Sequence, residues 1–223
     1  MQKASPLWSA IVWFVIAACT IGYSLLILLY VLVFWWADPS RKGAHWLASL
    51  WGRSVLRCIP SWRLTVNGRA ALDSRRSYIY VANHQSLIDI MALLCINQPF
   101  KWVAKESLFR IPFLGWSMGL AKHIRLARGR HGSIRETYEQ ARLWLARGIS
   151  VFFFPEGTRS PDGEIHEFKA LVGVLALTHG VDILPVWLGG THAAMPKGSR
   201  VPPRSAAKES FLKARGIAPK SGV

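Results

Sequence analysis

Residues 4–37 form an uncharged, mostly apolar run, and this run restricts the possible folds of the chain more than any other feature. A bilayer core needs only about 20 helical residues, so a longer helix should tilt, kink or extend into the headgroup region. Trp8 and Trp13 lie near one end of the run, and Trp35 and Trp36 lie at the other, as in the aromatic belts of membrane proteins. We therefore expect an N-terminal hydrophobic membrane helix.

A cleaved signal peptide is the alternative interpretation of this run. The apolar part of a signal peptide has about 7–15 residues. Residues 16–19 resemble a lipoprotein cleavage site, but apolar residues continue to Trp36, and this length favours a retained helix. Only Lys3 precedes the run, whereas Arg41 and Lys42 follow it closely. The positive-inside rule therefore predicts that the rest of the chain is cytoplasmic.

The net charge of +16 comes almost entirely from the rest of the chain, because residues 1–38 hold one Lys and one Asp. A basic protein body suits either a nucleic acid or an anionic lipid surface. The sequence shows no zinc-finger spacing, no RNA-binding aromatic motif and no basic zipper. We therefore expect membrane lipids, and no nucleic acid, as partners.

A second helix is predicted after the apolar run, and we expect it to end at Pro60. Polar residues recur every four positions along one side of this helix, at Arg41, His45, Ser49, Arg53 and Arg57. The opposite side is apolar and carries Trp46, Leu47, Leu50, Trp51 and Val55. This pattern predicts a basic amphipathic helix that lies in a membrane interface, and packing on the protein's own core is the open alternative.

After Pro60, strand-like and helix-like segments alternate. The predicted strands are Arg63–Val66, Tyr78–Ala82, Lys101–Ala104, His123–Leu126, Ile149–Phe154 and Ile183–Leu188. The predicted helices are Leu87–Cys95, Phe113–Leu120, Ile134–Ala146 and Lys169–Thr178. Alternation of this kind is typical of an α/β domain with a largely parallel sheet flanked by helices, in which ligands bind beyond the carboxyl ends of the strands.

We expect three parts along the chain. Residues 1–60 form the membrane-anchoring helices, residues 61–199 form the folded α/β domain, and residues 200–223 form a basic tail. The tail contains Pro202-Pro203 and is predicted to be irregular, or briefly helical near Lys208–Ala214. The last edge of the sheet would then be missing or replaced.

The strand at Tyr78–Ala82 is followed by the sequence Asn-His-Gln-Ser-Leu-Ile-Asp, which places His84 and Asp89 five residues apart. On one ideal helix such residues point about 140° apart, so the two side chains can meet only across a turn, with Ser86 as a candidate N-cap. Asp89 could then fix one imidazole nitrogen and make the other a base. The alternative is a capping Asp beside an unrelated His.

A second polar segment follows the fully apolar strand that ends at Phe154. Here Pro155 leads into Glu156-Gly157-Thr158-Arg159-Ser160. A tight glycine turn exposes backbone N–H groups, and Arg159 adds a planar cation, so the segment suits a phosphate. The alternative is an ordinary surface loop with an ion pair.

Together, in this order, the segments Asn83–Asp89 and Phe154–Ser160 resemble the motifs of the glycerolipid acyltransferase superfamily, above all the bacterial 1-acyl-sn-glycerol-3-phosphate acyltransferases. The resemblance covers about Pro60 to Lys197, most of the chain. Other segments that resemble the family's blocks are Lys105–Leu108, Ile111–Trp116, Arg128 and Ile183–Val186.

The resemblance implies a role for each matching residue. His84 would be the general base that takes the proton of the acceptor hydroxyl, and Asp89 would orient its ring. Lys105, Arg128 and Arg159 would bind the phosphate of the acceptor. Glu156, Gly157 and Thr158 would complete the substrate-binding set, and Pro185 would line the acyl channel. A covalent serine route is not indicated, because the chain has no Gly-x-Ser-x-Gly elbow.

The sequence departs from the family pattern in three places. Ala127 stands where the family usually has an Asp before the basic residue of the second block. Phe168-Lys169 is followed by a glycine only at Gly173, later than in the family's Phe-Lys-x-Gly. Relatives commonly finish with another strand, which the tail from Arg200 does not suggest.

These observations predict a membrane-bound O-acyltransferase that moves an acyl chain from acyl-CoA or acyl-carrier protein to a lysophospholipid. The principal expected acceptor is 1-acylglycerol-3-phosphate. Alternatives are another lyso-lipid acceptor such as a lyso-ornithine lipid, a membrane-bound lipid or thioester hydrolase, and a non-catalytic basic adaptor. The resemblance implies a bacterial inner-membrane protein with its catalytic domain on the cytoplasmic side.

No metal or other cofactor is expected for this chemistry. The remaining histidines show no metal-ligand spacing, at His123, His131, His166, His179 and His192. Cys19, Cys58 and Cys95 are odd in number and widely spaced, which indicates neither a disulfide framework nor a zinc site. A reducing compartment fits this pattern.

Overall fold

The computed structural model describes residues 5–59, 62–68, 73–96, 98–199 and the backbone of 210–214. The predicted helix end at Pro60 and most of the predicted tail lie outside these residues.

The apolar run forms one long helix, α1 (Pro6–Phe34), as predicted. Ser5 caps it, because its hydroxyl accepts a hydrogen bond from the Trp8 N–H at 3.2 Å, and Pro6 occupies the first turn, where no N–H partner is required. An 18-residue stretch within it has a mean hydropathy of 2.4, and the helix of 29 residues is long and apolar enough to cross a membrane. Most of its side chains are exposed, and the buried ones are Val12, Ser24, Ile27 and Val31.

The second helix, α2 (Lys42–Cys58), packs antiparallel against α1, but its orientation differs from the prediction. Arg41, His45 and Ser49, three members of the polar stripe, are buried, whereas Trp46 and Leu50 are exposed. Two of these side chains find polar partners: Arg41 donates to backbone carbonyls and the Ser49 hydroxyl donates to the His45 carbonyl. The His45 ring instead packs edge-on against Phe100, with 4.5 Å between the ring centroids. The helix therefore packs on the protein's own core along the side that carries His45 and Ser49, with Val55 also buried, and it turns Trp46 and Leu50 outward.

Seven strands form one sheet in the order β1-β7-β6-β2-β5-β3-β4. Neighbouring strands are parallel except for the antiparallel pair β6–β7, which confirms the predicted largely parallel sheet. The strands are β1 (Leu64–Asn67), β2 (Ile79–Ala82), β3 (Phe100–Lys105), β4 (Ile124–Leu126), β5 (Ser150–Phe153), β6 (Ile183–Gly189) and β7 (Ser210–Ala214).

The prediction of an irregular or helical tail is wrong at β7. This strand pairs antiparallel with β6 on one side and parallel with β1 on the other. Pairing on both sides satisfies the backbone N–H and C=O groups of Ser210–Ala214, and such tertiary pairing outweighs the local composition of a short segment. The final strand that the sequence did not suggest is present, and it lies inside the sheet between β1 and β6.

Helices cover both faces of the sheet. The predicted helices are confirmed as α3 (Ile88–Leu94), α4 (Leu114–Leu120), α5 (Ser133–Ala146) and α6 (Leu171–His179), while α7 (Thr191–Ala194) and a 3₁₀ helix (Glu106–Arg110) were not predicted. On the α3 face, Phe152 joins an aromatic core with Tyr80 and Phe100. On the α5–α6 face, Phe153 packs with Leu175. Burial on both faces explains the uninterrupted apolar sequence of β5.

Candidate active site

His84 and Asp89 meet at the carboxyl end of β2. The strand stops at Ala82, a turn carries His84, and α3 then brings Asp89 back, so that His84 Nδ1 lies 2.8 Å from Asp89 Oδ2. The Asp89 side chain is fully buried, whereas the His84 side chain retains 16% exposure. The sequence-predicted contact between these two residues is present in the structure.

Asp89 also orders the turn that contains its partner. The same Oδ2 atom accepts the backbone N–H groups of Gln85 at 2.6 Å and Ser86 at 2.8 Å. Ser86 is not the helix N-cap that the sequence suggested, because that position belongs to Leu87. The Ser86 hydroxyl instead accepts from the Ile88 N–H and donates to the carbonyl of Met195. The carboxylate, and not a serine cap, therefore shapes the entry to α3.

The loop after β5 closes directly over this turn. Glu156 Oε1 accepts the His84 N–H at 3.2 Å, and the Ser160 N–H donates to the His84 carbonyl at 2.7 Å. The rings of His84 and Phe154 stack with 3.8 Å between their centroids. On the other side, Asn83 exchanges two 2.8 Å hydrogen bonds with the backbone of Leu188 in β6. The two sequence motifs are thus joined across neighbouring strand ends.

Glu156 is buried beside the imidazole. Burial raises the pKa of its carboxyl group above the usual range, and the hydrogen bond from His84 partly opposes this rise. Its second oxygen, Oε2, has no hydrogen-bond partner among the described residues. The side chain therefore connects two loops and is aimed at protein backbone, not at open solvent.

A cavity of about 1330 Å³ opens at these strand ends. It exceeds the range of about 300–1,000 Å³ usual for small-molecule sites, so it has room for a lipid. His84 lines it, and so do five cationic residues: Lys105, Arg128, Arg130, Arg159 and Lys169. Arg130 is paired with Glu136.

The rest of the cavity is largely apolar. It extends back between α1 and the sheet, where α1 contributes Ile16 and Ile27, α3 contributes Met91 and Leu94, and α4 contributes Met118. The site thus combines a cationic mouth with an apolar arm, and this shape suits a charged headgroup attached to a hydrocarbon chain.

The structure separates the predicted substrate-binding residues into two groups. Lys105, Arg128, Gly157, Thr158 and Arg159 line the cavity, and Arg128 also donates to the carbonyl of Gly157. Glu156 and Pro185 do not line it.

The prediction that Pro185 lines the acyl channel does not hold for this cavity. Pro185 pairs with Val81 in the sheet, and along β6 it alternates with Leu184 and Val186, which belong to the core on the α3 face. Because side chains alternate along a strand, Pro185 is directed to the opposite face of the sheet.

Lys169 was missed as a candidate site residue. The Lys169 N–H bonds to the Pro155 carbonyl at 3.1 Å, which returns the chain to the glycine turn. Gly157 has a φ of 74°, so the backbone favours glycine there, and a Cβ atom at this position would lie 3.1 Å from Lys169 Nζ, which places the lysine head group against the turn. The sequence signal was present, but Phe168-Lys169 was interpreted only as a departure from the family pattern.

No group of three or more His, Cys, Asp and Glu side chains suited to a metal ion occurs among the residues that the structure describes. The histidine and carboxylate pair at positions 84 and 89 instead resembles the base and orienting group of acid–base catalysis.

Comparison with protein families matches the Acyltransferase model over residues 63–189, more than half of the 223 residues. The chain is 38% identical to the chloroplastic 1-acyl-sn-glycerol-3-phosphate acyltransferase of Arabidopsis thaliana, over 76% of this chain and 47% of that protein. It is 33% identical to the 1-acyl-sn-glycerol-3-phosphate acyltransferase of Escherichia coli K12, over 77% of this chain and 71% of that protein. The chain thus spans about half the length of the plant and algal relatives that it matches.

The fold is similar to the crystal structure of the 1-acyl-sn-glycerophosphate acyltransferase from Thermotoga maritima. The TM-score is 0.81 at 28% sequence identity, and the match covers 97% of this chain and 86% of the other. The similarity therefore includes the N-terminal helices as well as the sheet.

Proposed function

The chain belongs to the acyltransferase family, and we propose that it transfers an acyl group from a thioester donor to the hydroxyl of 1-acylglycerol-3-phosphate. The observation that carries this proposal is that the His84 ring, held by Asp89, opens onto the same cavity as Arg159 and an apolar arm. Base, anion site and hydrocarbon site are thus combined in one space. The names of the relatives support the choice of acceptor.

The geometry around His84 supports direct attack. When Nδ1–H donates to Asp89, Nε2 is the ring nitrogen that can take the proton of the acceptor hydroxyl. The acceptor oxygen then bonds to the thioester carbonyl carbon, and the tetrahedral intermediate collapses with release of the thiolate. The imidazolium returns its proton to that thiolate. The Asp89 carboxylate orients the ring and stabilises the transient positive charge on it.

Cations at the mouth suit the phosphate of the acceptor. Arg159 and Lys105 are the principal candidates, because no hydrogen bond or ion pair engages their head groups within the described ranges. Arg128 is partly committed to the Gly157 carbonyl. Lys169 adds a further positive charge, and a phosphate dianion can accept hydrogen bonds from several such donors at once.

The apolar arm of the cavity suits an acyl chain, and acyl-CoA or acyl-carrier protein is the proposed donor. The steps above need proton transfer and accurate positioning only, so we propose that no metal or other cofactor takes part. The reacting thioester would lie near His84, where the apolar arm meets the cationic mouth.

We propose that the protein acts at a membrane surface, with residues 61–199 as the catalytic domain and the α1–α2 pair as its membrane contact. Exposed apolar side chains along α1 support membrane association. For a bacterial inner-membrane protein, the cytoplasmic side is proposed from the basic residues after α1, of which Lys42 is exposed.

The purified protein should acylate 1-acylglycerol-3-phosphate, and His84→Ala should lower the rate by about 10²-fold or more because the base is lost. The measurement follows both free thiol and acylated lipid. His179→Ala is the matched control, since His179 contacts Tyr138 outside the cavity. Thiol release without acylated lipid would support the hydrolase alternative, and equal rates for wild type and His84→Ala would contradict catalysis by this site.

A panel of acceptors identifies the headgroup. Arg159→Ala should raise KM for lysophosphatidate much more than it lowers kcat, because the guanidinium binds a group that does not react. A faster reaction with a lyso-ornithine lipid, which carries no phosphate, would contradict the proposed role of Arg159.

A further inference from the structure

Lys101 is a buried lysine that the proposed reaction does not use. It lies on β3 and is only 2% exposed. Its ammonium nitrogen, Nζ, donates to the Ser40 carbonyl at 2.6 Å and to the Ala121 carbonyl at 2.7 Å. Ser40 belongs to the turn between α1 and α2, and Ala121 ends α4. One side chain therefore joins three segments that are distant in sequence.

The bonding of Lys101 differs from that of an ion pair. No carboxylate pairs with it within the described part of the chain, and Asp38, whose charge acts on it, is engaged by the Gly43 N–H and the Tyr30 hydroxyl. The ring of Trp144 lies 4.7 Å from Nζ and presents its face to the cation. The ammonium group thus forms two hydrogen bonds to carbonyls and one cation–π contact with an aromatic face.

The surroundings contain other titratable and charged groups. His45 comes from α2 and His123 from the approach to β4, and burial lowers the pKa of both, to about 3 for His45, so both rings are neutral. Arg41 of the turn donates to the Trp35 and Asp38 carbonyls. Two further cations lie at the rim of the cluster, Lys122 next to Ala121 and Arg147 over the Trp144 ring.

The segments that Lys101 joins are walls of the cavity. Ser24 and Ile27 line it from α1, and Ser117, Met118 and Ala121 line it from α4. These residues lie at the inner end of the cavity. Along β3, the lining extends from Lys105, at the carboxyl end of the strand, inward to Trp102. That distance is about 10 Å at roughly 3.3 Å per residue.

We propose that Lys101 is a positioning residue that holds the α1–α2 turn to the end of α4 and so fixes the inner end of the cavity. The part that concerns substrate rests on the proposed function, in which the acyl chain occupies this arm. Either protonation state of the amine leaves at least two N–H donors for the two carbonyls, so the contact persists across neutral pH.

The first test compares Lys101→Met with Lys122→Met. Methionine keeps the length and apolar character of the buried stem but removes both hydrogen bonds. Lys122 is a matched control because it is exposed and, among the described residues, its ammonium group donates only to the Pro39 carbonyl of the same turn, at 3.2 Å. With a palmitoyl and a decanoyl thioester as donors, we expect Lys101→Met to lower the preference for palmitoyl by about ten-fold, through KM. Lys122→Met should retain the wild-type preference.

The second readout does not depend on activity. Trypsin can cut after Arg41 and Lys42 in the turn, and Arg41 is buried in the folded protein. Lys101→Met should raise the cleavage rate there by about ten-fold at a temperature well below unfolding, and Lys122→Met should not.

An unchanged cleavage rate in Lys101→Met would overturn the proposal, as would faster cleavage with an unchanged donor preference. If the wild-type protein transfers no acyl group at all, the proposed function fails. The cleavage rate then decides separately whether Lys101 holds the turn.

Discussion

One oxygen of Asp89 accepts three hydrogen bonds, from His84 Nδ1 and from the N–H groups of Gln85 and Ser86, while its other oxygen has no partner among the described residues. A single atom thus fixes both the ring orientation and the backbone turn. At the scale of one residue, the site therefore depends on charge and geometry together, and a substitution that preserves shape but not charge can separate the two.

Asp89→Asn should lower kcat by about 10²-fold or more with little change in KM. The amide keeps the size of the carboxylate and one oxygen that can accept the two N–H groups, but it carries no negative charge and so cannot stabilise the imidazolium. Steady-state kinetics check this, with Asp182→Asn as the control, because Asp182 pairs with Arg76 at the protein surface. Equal losses in both variants would argue against a specific role for Asp89.

Lys101 should give the protein a characteristic dependence of stability on pH. Burial lowers its pKa to about 7 in the folded state, whereas an unfolded lysine has a pKa of about 10.4. Between these values the unfolded chain binds more protons, so the free energy of unfolding should rise with pH, by up to about 1.4 kcal/mol per pH unit. Denaturant titrations at about pH 7 and about pH 9 should show this rise in wild type but not in Lys101→Met. If the free energy of unfolding changed equally with pH in wild type and in Lys101→Met, the result would contradict the burial of a titrating amine at Lys101.

At the scale of elements, α1 and α2 behave as one unit that also belongs to the catalytic body. The side chains of Val12 and Val55 share a core with Ile88 and Met91 of α3. Tyr23 and Ser54 link the helices through their hydroxyls at 2.8 Å. Deletion of residues 1–58 would therefore remove a cavity wall along with the membrane contact, and substitutions of exposed side chains are the more selective test.

The double substitution Trp46→Ser and Leu50→Ser should weaken binding to anionic vesicles by about ten-fold, because both side chains project outward from α2 and contribute apolar area to the interface. Vesicle co-sedimentation measures the binding. Activity on a monomeric short-chain acceptor should stay near wild type, since neither residue lines the cavity.

Leu177→Ser is the matched control for vesicle binding. Leu177 is 87% exposed but lies on α6, on the other face of the sheet. A loss of vesicle binding in Leu177→Ser equal to that of the α2 variant would indicate a general effect of surface polarity, not a membrane contact through α2.

Sequence patterns predicted the strands well because the central strands are buried on both faces, so Tyr80 and Phe152 lie in unmistakable apolar runs. They did not predict the orientation of α2, because burial of His45 depends on Phe100, which is distant in the sequence. They missed Lys169 for the same reason: its place at the site depends on the loop that returns to Pro155. Local patterns thus predict elements, and long-range contacts decide which side chains meet.

At the scale of the whole molecule, β7 completes the sheet. It connects β1 to β6, and without it the strand Leu64–Asn67 would lose its only hydrogen-bonded neighbour within the described residues. Near the carboxyl end of β6, the backbone of Leu188 forms two hydrogen bonds with the Asn83 side chain, so β6 lies close to the turn that carries His84.

Deletion of residues 210–223 should therefore lower the melting temperature, because it exposes backbone donors and acceptors on β1 and β6. Deletion of residues 215–223 alone leaves β7 in place and is the control. Differential scanning fluorimetry in detergent compares the two truncations. Identical melting temperatures for both would show that β7 does not support the sheet in solution.

The helix α1 has two different faces. Its outer side chains face the medium around the protein, whereas Ile16 and Ile27 border the space proposed for the acyl chain. Anything that shifts this helix, including bilayer thickness or the packing of neighbouring lipids, should also reshape that space. Fatty-acid selectivity would then be a joint property of enzyme and lipid environment, and values measured in micelles would differ from those in a living membrane.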